Sequence, residues 1–279
     1  MALQFTSLNS GSNGNCYYVG NETDALLVDA GISCREIERR MERLGLSLQK
    51  VRAVLVSHEH SDHIRGLPTL TRKYGIPVYV TAGTYKGGRM YLDRSLVRDF
   101  SGQPSFAVGS LSVQAFSKVH DAADPYSFTI SCGGVTVGVF TDLGVPCANL
   151  VSHFRQCHAA FLESNYDEEM LEKGKYPWIL KQRIRGGQGH LSNRQALELF
   201  RAHRPPFMTH LLLAHLSQNN NDPNLVQALF DAHADGVQML VAPRYNESPL
   251  FQVSASGAGP TVRAHYEADA PGQLQLSFD

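Results

Sequence analysis

The chain has 279 residues, 43% of them hydrophobic, which is enough to bury a substantial core in one large domain or two small ones. A formal net charge of −1 and a pI near 6.9 exclude the globally basic surface of a bulk nucleic-acid binder, leaving room only for a local basic patch. No apolar run approaches the roughly 18 residues of a membrane span, and the start MALQFTSLNSGSNG lacks a charged leader followed by a hydrophobic stretch, so a cytoplasmic location is expected.

Along the chain, ALLVD at 25–29 reads as a buried strand, and SCREIERRMERLG as a helix. Ser33 and Glu36 form an S-x-x-E capping box for it, and Gly45 is its stop signal. Strand VRAVLVS follows, then a histidine-rich loop and a predicted helix from about Asp62 to Tyr74, closed by Gly75 and Pro77. The middle is β-rich: LSVQAFSKVH and YSFTISCGGVTVGVFTD, with Gly133-Gly134 as a hairpin turn. Beyond residue 158, strands AAFLES, FMTHLLLAH and VQMLVA alternate with helices that start after Ser192 and Asp222. No repeat or linker interrupts residues 1–252, so one continuous domain is the simplest parse. The two similar halves argue for two sheets packed face to face with helices outside, an α/β sandwich. Cys16, Cys34, Cys132, Cys147 and Cys157 are odd in number, scattered and without a C-x-x-C pair, which fits reduced thiols.

The chemistry starts at VSHEHSDH, residues 56–63. His58 and His60 are two apart, so on persisting strand geometry their rings leave on one side and can share a metal. Asp62 and His63 point elsewhere and can take a second ion. His120, Asp142 and His215 are each the first strong ligand type after a β run, and strand ends in a layered α/β fold converge on one rim. Asp29, closing LLVDAG, is expected to accept a hydrogen bond from the histidine loop or to cap its own turn.

His58-Glu59-His60-Ser61-Asp62-His63 resembles the H-x-H-x-D-H motif of the metallo-β-lactamase superfamily, whose fold is a four-layer αβ/βα sandwich of two packed mixed sheets. SLNSGSNGNCYYV, LLVDAG, HDAADP, ESNYD, GHLSN and HLSQNNN further resemble its WalJ/YycJ branch, 5′-exonucleases acting on DNA. The likeness covers roughly residues 3 to 250. The resemblance implies one metal held by His58, His60 and His120, another by Asp62, His63 and His215, and Asp142 bridging them. The pair of ions would be zinc or manganese, and the reaction phosphodiester hydrolysis in repair or replication. His190 competes with His215 as the last ligand. By likeness to the ribonuclease Z group, His190 is instead the acid that protonates the leaving oxygen, oriented by Glu163, since a glutamate partner fixes an imidazole's tautomer and favours its protonated form. Asp62, His190 and Glu163 are therefore the candidate catalytic residues.

Candidate substrate contacts are Ser12 and Asn13 in the turn NSGSNGN, Asn220 beside His215, and Lys181, Arg183 and Arg185 upstream of His190. Residues 253–279 read as a separate, small and polar tail ending QLQLSFD. There Gln273, Leu274, Leu276 and Phe278 resemble the Q-x-x-L-x-F peptide that docks on the DNA sliding clamp, while a final edge strand explains the same alternation. Two other functions compete with a DNA exonuclease: a small-molecule cyclic phosphodiesterase of the PhnP type, and a non-catalytic protein using its metal site as a scaffold for partners.

Overall fold

Strands that are apolar at every position need a core on both faces, and that requirement organises the molecule. The structure, a computed structural model, describes residues 2–103 and 105–255 and the backbone of 261–263. Strands β1 (Ala2–Asn9), β2 (Cys16–Gly20), β3 (Ala25–Val28), β4 (Val51–Leu55), β5 (Val78–Tyr79) and β6 (Val97–Arg98) open the chain. After them come β7 (Ser105–Val108), β8 (Leu111–Ser117), β9 (Tyr126–Cys132), β10 (Val135–Phe140), β11 (Ala159–Glu163), β12 (His210–Ala214), β13 (Gln238–Val241), β14 (Leu250–Ser254) and β15 (Thr261–Arg263). They form an eight-stranded sheet in the order β15-β14-β1-β2-β3-β4-β5-β6 and a seven-stranded sheet in the order β13-β12-β11-β10-β9-β8-β7. Both are mixed. β3 to β6 run parallel, as do β10 to β13, and the remaining pairs are antiparallel.

Alternate residues of the buried strands enter different cores. Tyr17, Val19, Leu26, Val28, Phe161 and Leu212 pack between the sheets. Their neighbours Cys16, Tyr18 and Leu27 face α1 (Cys34–Arg43) and the helices after β4. Ala160, Leu162, Leu211 and Leu213 face the other outer layer, α5 (Ala148–Phe154), α8 (Asn193–His203) and α9 (Pro223–Asp231). The result is the four-layer αβ/βα sandwich expected from the sequence. The β9–β10 hairpin turns at Gly133 and Gly134, both at positive φ (57° and 81°), and among the described residues no disulfide joins any of the five cysteines.

Two local expectations change. The single helix from Asp62 to Tyr74 is two: α2 (Ser61–Ile64) and α3 (Leu67–Tyr74). Gly66 lies so close to the 30–32 turn that an added Cβ would sit 1.9 Å from the Ile32 carbonyl, and Pro68 starts a new helix without needing an N–H partner. At α1, Ser33 accepts from the Glu36 N–H, but the Glu36 carboxylate pairs with Arg39 at 2.6 Å, so only half of the capping box forms. β14 continues to Ser254 and β15 pairs with it, so the sheet extends past residue 252. Gln273, Leu274, Leu276 and Phe278 lie outside the described residues. Among the described residues no helix is long and apolar enough to cross a membrane.

Candidate metal centre

The site is built at the carboxyl ends of strands from both sheets. Asp29 follows β3, His58 to His63 follow β4, and His120, Asp142 and His215 follow β8, β10 and β12, while Glu163 ends β11. Asp29, Asp142 and His215 take the left-handed conformation, with φ of 62°, 56° and 56°. That conformation is strained for a residue with a Cβ, and asparagine, aspartate and histidine tolerate it best. Three strands thus end in a sharp turn, each at a residue whose side chain is part of the cluster.

Donor atoms converge in overlapping groups. One contains His58, His60 and His120, a second His58, His63 and Asp142, and a third Asp62, His63 and His215, with all atoms of each group within 4.8 Å of one another. Asp142 lies among them, with Oδ2 3.2 Å from His63 Nε2 and Oδ1 3.5 Å from His215 Nε2 and 3.8 Å from His120 Nε2. Asp62 Oδ2 is 3.5 Å from His63 Nε2 and 3.6 Å from His215 Nε2.

Outer hydrogen bonds fix which nitrogen of each ring faces inward. His63 Nδ1 donates to Asp29 at 2.7 Å, and His120 Nδ1 donates to the Gly189 carbonyl at 3.0 Å. Ser57 gives its hydroxyl proton to Asp29, which leaves its oxygen to accept from His58 Nδ1 at 2.9 Å. The Nε2 lone pairs of His58 and His120 therefore both aim at His60 Nδ1, at 3.0 and 3.4 Å, where a single proton cannot satisfy both. Asp142 Oδ2 and His215 Nε2 are buried without any hydrogen-bond partner. Lone pairs facing one another and orphaned buried acceptors are what a divalent cation would resolve, and imidazole with carboxylate is a donor set that suits zinc or manganese. The charge balance points the same way. Burial opposes a charged ring at His215, but Asp142, Asp62 and Glu163 outweigh it and push its pKa up to about 10, and the same negative surroundings would favour a metal cation at this place.

Glu163, fully buried, accepts four N–H groups. Oε1 takes His190 Nδ1 at 2.8 Å and His215 Nδ1 at 3.0 Å; Oε2 takes the backbone N–H of Leu143 at 2.7 Å and of Leu191 at 3.1 Å. Burial works to raise this carboxyl, but the charge of His190 and the bonds from both imidazoles hold it below its usual value. A fourth group joins His190 to Asp142, Glu163 and His215; the His190 nitrogen nearest Asp142, Nδ1 at 3.8 Å, is the one bonded to Glu163, whereas His215 gives Nδ1 to Glu163 and turns Nε2 toward Asp62.

The other predicted residues fare differently. On α7 (Trp178–Arg185), Arg183 pairs with Asp121 and Arg185 with Glu172, and the Lys181 ammonium donates to the Glu172 carbonyl. Those charges are largely spoken for within the protein. Asn220 is 1% exposed, with its side-chain oxygen beside Gly174. Asn221 ties the Ser164 and Asn165 carbonyls. Ser12 and Asn13 hold Arg244 at 3.3 and 3.2 Å. Sequence reasoning missed Asn15, whose amide lies 3.2 Å from Asp62 and 3.0 Å from His63 Nε2, and Ser57; both sit inside the segments singled out, and their small polar types gave no signal. It also missed Lys118, buried and donating to the Thr141 carbonyl at 2.7 Å, where burial lowers its pKa against the pull of Asp142.

Comparison with known proteins places this geometry. A family model described as the β-lactamase superfamily domain matches residues 25–215. The chain is 36% identical over 232 residues to exodeoxyribonuclease YycJ of Bacillus anthracis, covering 81% of this chain and 87% of that protein. It is 31% identical over 226 residues to exodeoxyribonuclease WalJ of Streptococcus pneumoniae serotype 2, covering 79% and 84%. Among solved structures, the metallo-β-lactamase fold protein YhfI from Bacillus subtilis superposes with a TM-score of 0.68 at 16% identity, covering 88% of this chain and 99% of that one. A diphosphatase of the PhnP family gives 0.63 at 16% identity, covering 91% and 98%. At such identities the structural likeness concerns the fold.

Proposed function

Because the chain belongs to the metallo-β-lactamase superfamily, in its WalJ/YycJ-like branch, and is a metal-dependent hydrolase, we propose that it is a DNA 5′-exonuclease that works with two divalent ions. The observation that carries the reading is the buried, unpartnered Asp142 Oδ2 and His215 Nε2 amid converging imidazoles, in a chain 36% identical to a protein named an exodeoxyribonuclease. His58, His60 and His120 would hold one ion and Asp62, His63 and His215 the other, with Asp142 shared. Ions held there would supply Lewis-acid activation of water and neutralise charge on a phosphodiester. His190, whose side chain is 18% exposed and anchored by Glu163, would give a proton to the departing oxygen, and the bond to Glu163 supports the tautomer that allows it. That Glu163 takes the His190 nitrogen nearest Asp142 supports His215 as the ligand and His190 as the acid.

The test is metal-reconstituted hydrolysis of duplex DNA labelled at either end, with a cyclic phosphodiester run in parallel and Asp142→Ala as control. Stepwise release of nucleotides from the 5′ end, lost in the variant, is expected. Turnover of the cyclic ester alone would replace the exonuclease reading with a small-molecule phosphodiesterase.

A further inference from the structure

Two arginines beside the metal centre carry charge that the protein does not neutralise. Arg244 donates to three uncharged acceptors: Ser12 Oγ at 3.3 Å, Asn13 Oδ1 at 3.2 Å and the Leu216 carbonyl. Arg65, just past α2, donates to the Asn13 carbonyl at 2.6 Å and is exposed. Neither makes an ion pair among the described residues, in contrast to Arg183 and Arg185, each of which has a carboxylate partner. Two like charges gathered on one asparagine without an acid between them are unfavourable unless an anion completes the set. The Arg244 guanidinium packs against Gly11 so closely that an added Cβ would lie 2.9 Å from Cζ, so its place is built in rather than incidental.

The same arginine lines a cleft of about 470 Å³ with Ser10, Leu216, Pro243 and Tyr245. This cleft adjoins the metal centre through the backbone: Ser10 Oγ accepts the N–H of His215 at 2.7 Å, and Leu216, the next residue, lines the cleft. Leu216, Val241 and Pro243 give it an apolar wall, Ser217, Gln218 and Asn221 add polar groups beside the guanidinium, and Tyr245 is 58% exposed, offering an aromatic face of the kind on which bases stack.

We propose that Arg65 and Arg244, bracketed by Asn13, clamp the phosphate next to the scissile one, and that the adjoining cleft takes the attached nucleoside. This rests on the nuclease reading and deepens it. Ser12 and Asn13 then act by positioning arginines, and the substrate-facing charge lies here rather than on α7. Arginine forks suit phosphate because they donate two parallel N–H groups to it.

The experiment compares kcat/KM of the metal-loaded full chain on a labelled single-stranded oligonucleotide and on bis(p-nitrophenyl) phosphate, which has no neighbouring phosphate. For the Arg65→Gln/Arg244→Gln double variant, the loss on the oligonucleotide is expected to exceed the loss on the small diester at least about tenfold, chiefly through KM, as for lost charged hydrogen bonds. Arg65→Lys/Arg244→Lys, which keeps charge without the fork, should recover part of that difference and serves as the readout if the glutamine variant melts early. Equal losses on the two substrates would reduce the arginines to loop braces and overturn the clamp, as would no loss on either. Wild-type turnover of the small diester with none of any DNA would remove the nuclease reading, and the clamp with it. DNA cleavage equally fast in wild type and both variants would remove the clamp alone.

Discussion

Two histidines, both bonded to Glu163, are offered different chemistry by the ends of their rings. His215 is buried, and its Nε2 lies 3.6 Å from Asp62 and 3.5 Å from Asp142 with no hydrogen-bond partner, as suits the proposed ligand role. His190 is more accessible, its side chain 18% exposed, and it spends Nδ1 on Glu163. His215→Ala should therefore lower the amount of metal retained after dialysis, whereas His190→Ala should retain wild-type stoichiometry while activity falls about 10²- to 10⁴-fold, the usual worth of a general acid. Elemental analysis alongside the DNA assay reads both, and metal loss in His190→Ala with full occupancy in His215→Ala would reverse the assignment. The sequence alone left these residues as rivals, because both stand in His-Leu-Ser stretches, GHLSN and HLSQNNN. What separates them is the ring nitrogen each turns inward, a tertiary fact fixed by a carboxylate 27 and 52 residues away in the chain.

At the scale of elements, the site depends on how tightly α2 is drawn against the turn after β3. Gly31 permits this, since an added Cβ would stand 1.6 Å from the Asp62 carbonyl, and Gly66 permits it from the other side. The contact is cemented by Asn15, whose N–H bonds the Asp62 carbonyl at 2.7 Å, and by Ala30, whose N–H bonds the His63 carbonyl at 2.8 Å. Gly31→Ala should displace Asp62 and His63 together, lowering stability by about 1–3 kcal/mol, as overpacking does. Metal affinity should fall as well. Thermal melts and a metal titration on the same preparation test this; a variant with a normal melt and normal metal uptake would show that α2 has slack. The strands that present the candidate ligands were legible from sequence because β4, β10 and β12 are largely apolar runs, β8 alternates apolar and polar residues, and the first ligand type after each is conspicuous. The break at Gly66 was not legible, since a glycine within a helical pattern looks tolerable until a carbonyl from residue 32 is brought against it. Arg244 was invisible for the same reason, its partners Ser12 and Asn13 being 232 and 231 residues distant.

At the scale of the whole molecule, one sheet supplies Asp29 and the His58–His63 segment and the other supplies His120, Asp142, Glu163 and His215, so the centre exists only while the sheets keep their register. The shared apolar core holds them, and a polar latch does so at the end remote from the metal site. Asp24, in the β2–β3 turn of one sheet, accepts from Ser110 Oγ at 2.7 Å and Ser110 N–H at 3.0 Å in the β7–β8 turn of the other, and from Arg52 at 2.6 Å. The bonds from Ser110 and then Arg52 hold its carboxyl well below the usual aspartate value of 3.8. A carboxyl whose folded pKa is depressed contributes stability above its unfolded pKa and loses it as pH falls toward the folded one. Asp24→Asn should therefore lower stability at pH 7 by about 1–3 kcal/mol, the range for charged hydrogen bonds. The gap between the wild-type and variant curves should be constant down to about pH 4 and close progressively below the usual aspartate value. Taking the difference between the two proteins, both metal-free, cancels the acid sensitivity of the histidine cluster, which they share. Denaturant unfolding at intervals from pH 7 to pH 2.5 measures the gap, and a difference that stayed flat across that range would show that Asp24 joins the sheets through its shape and not its charge.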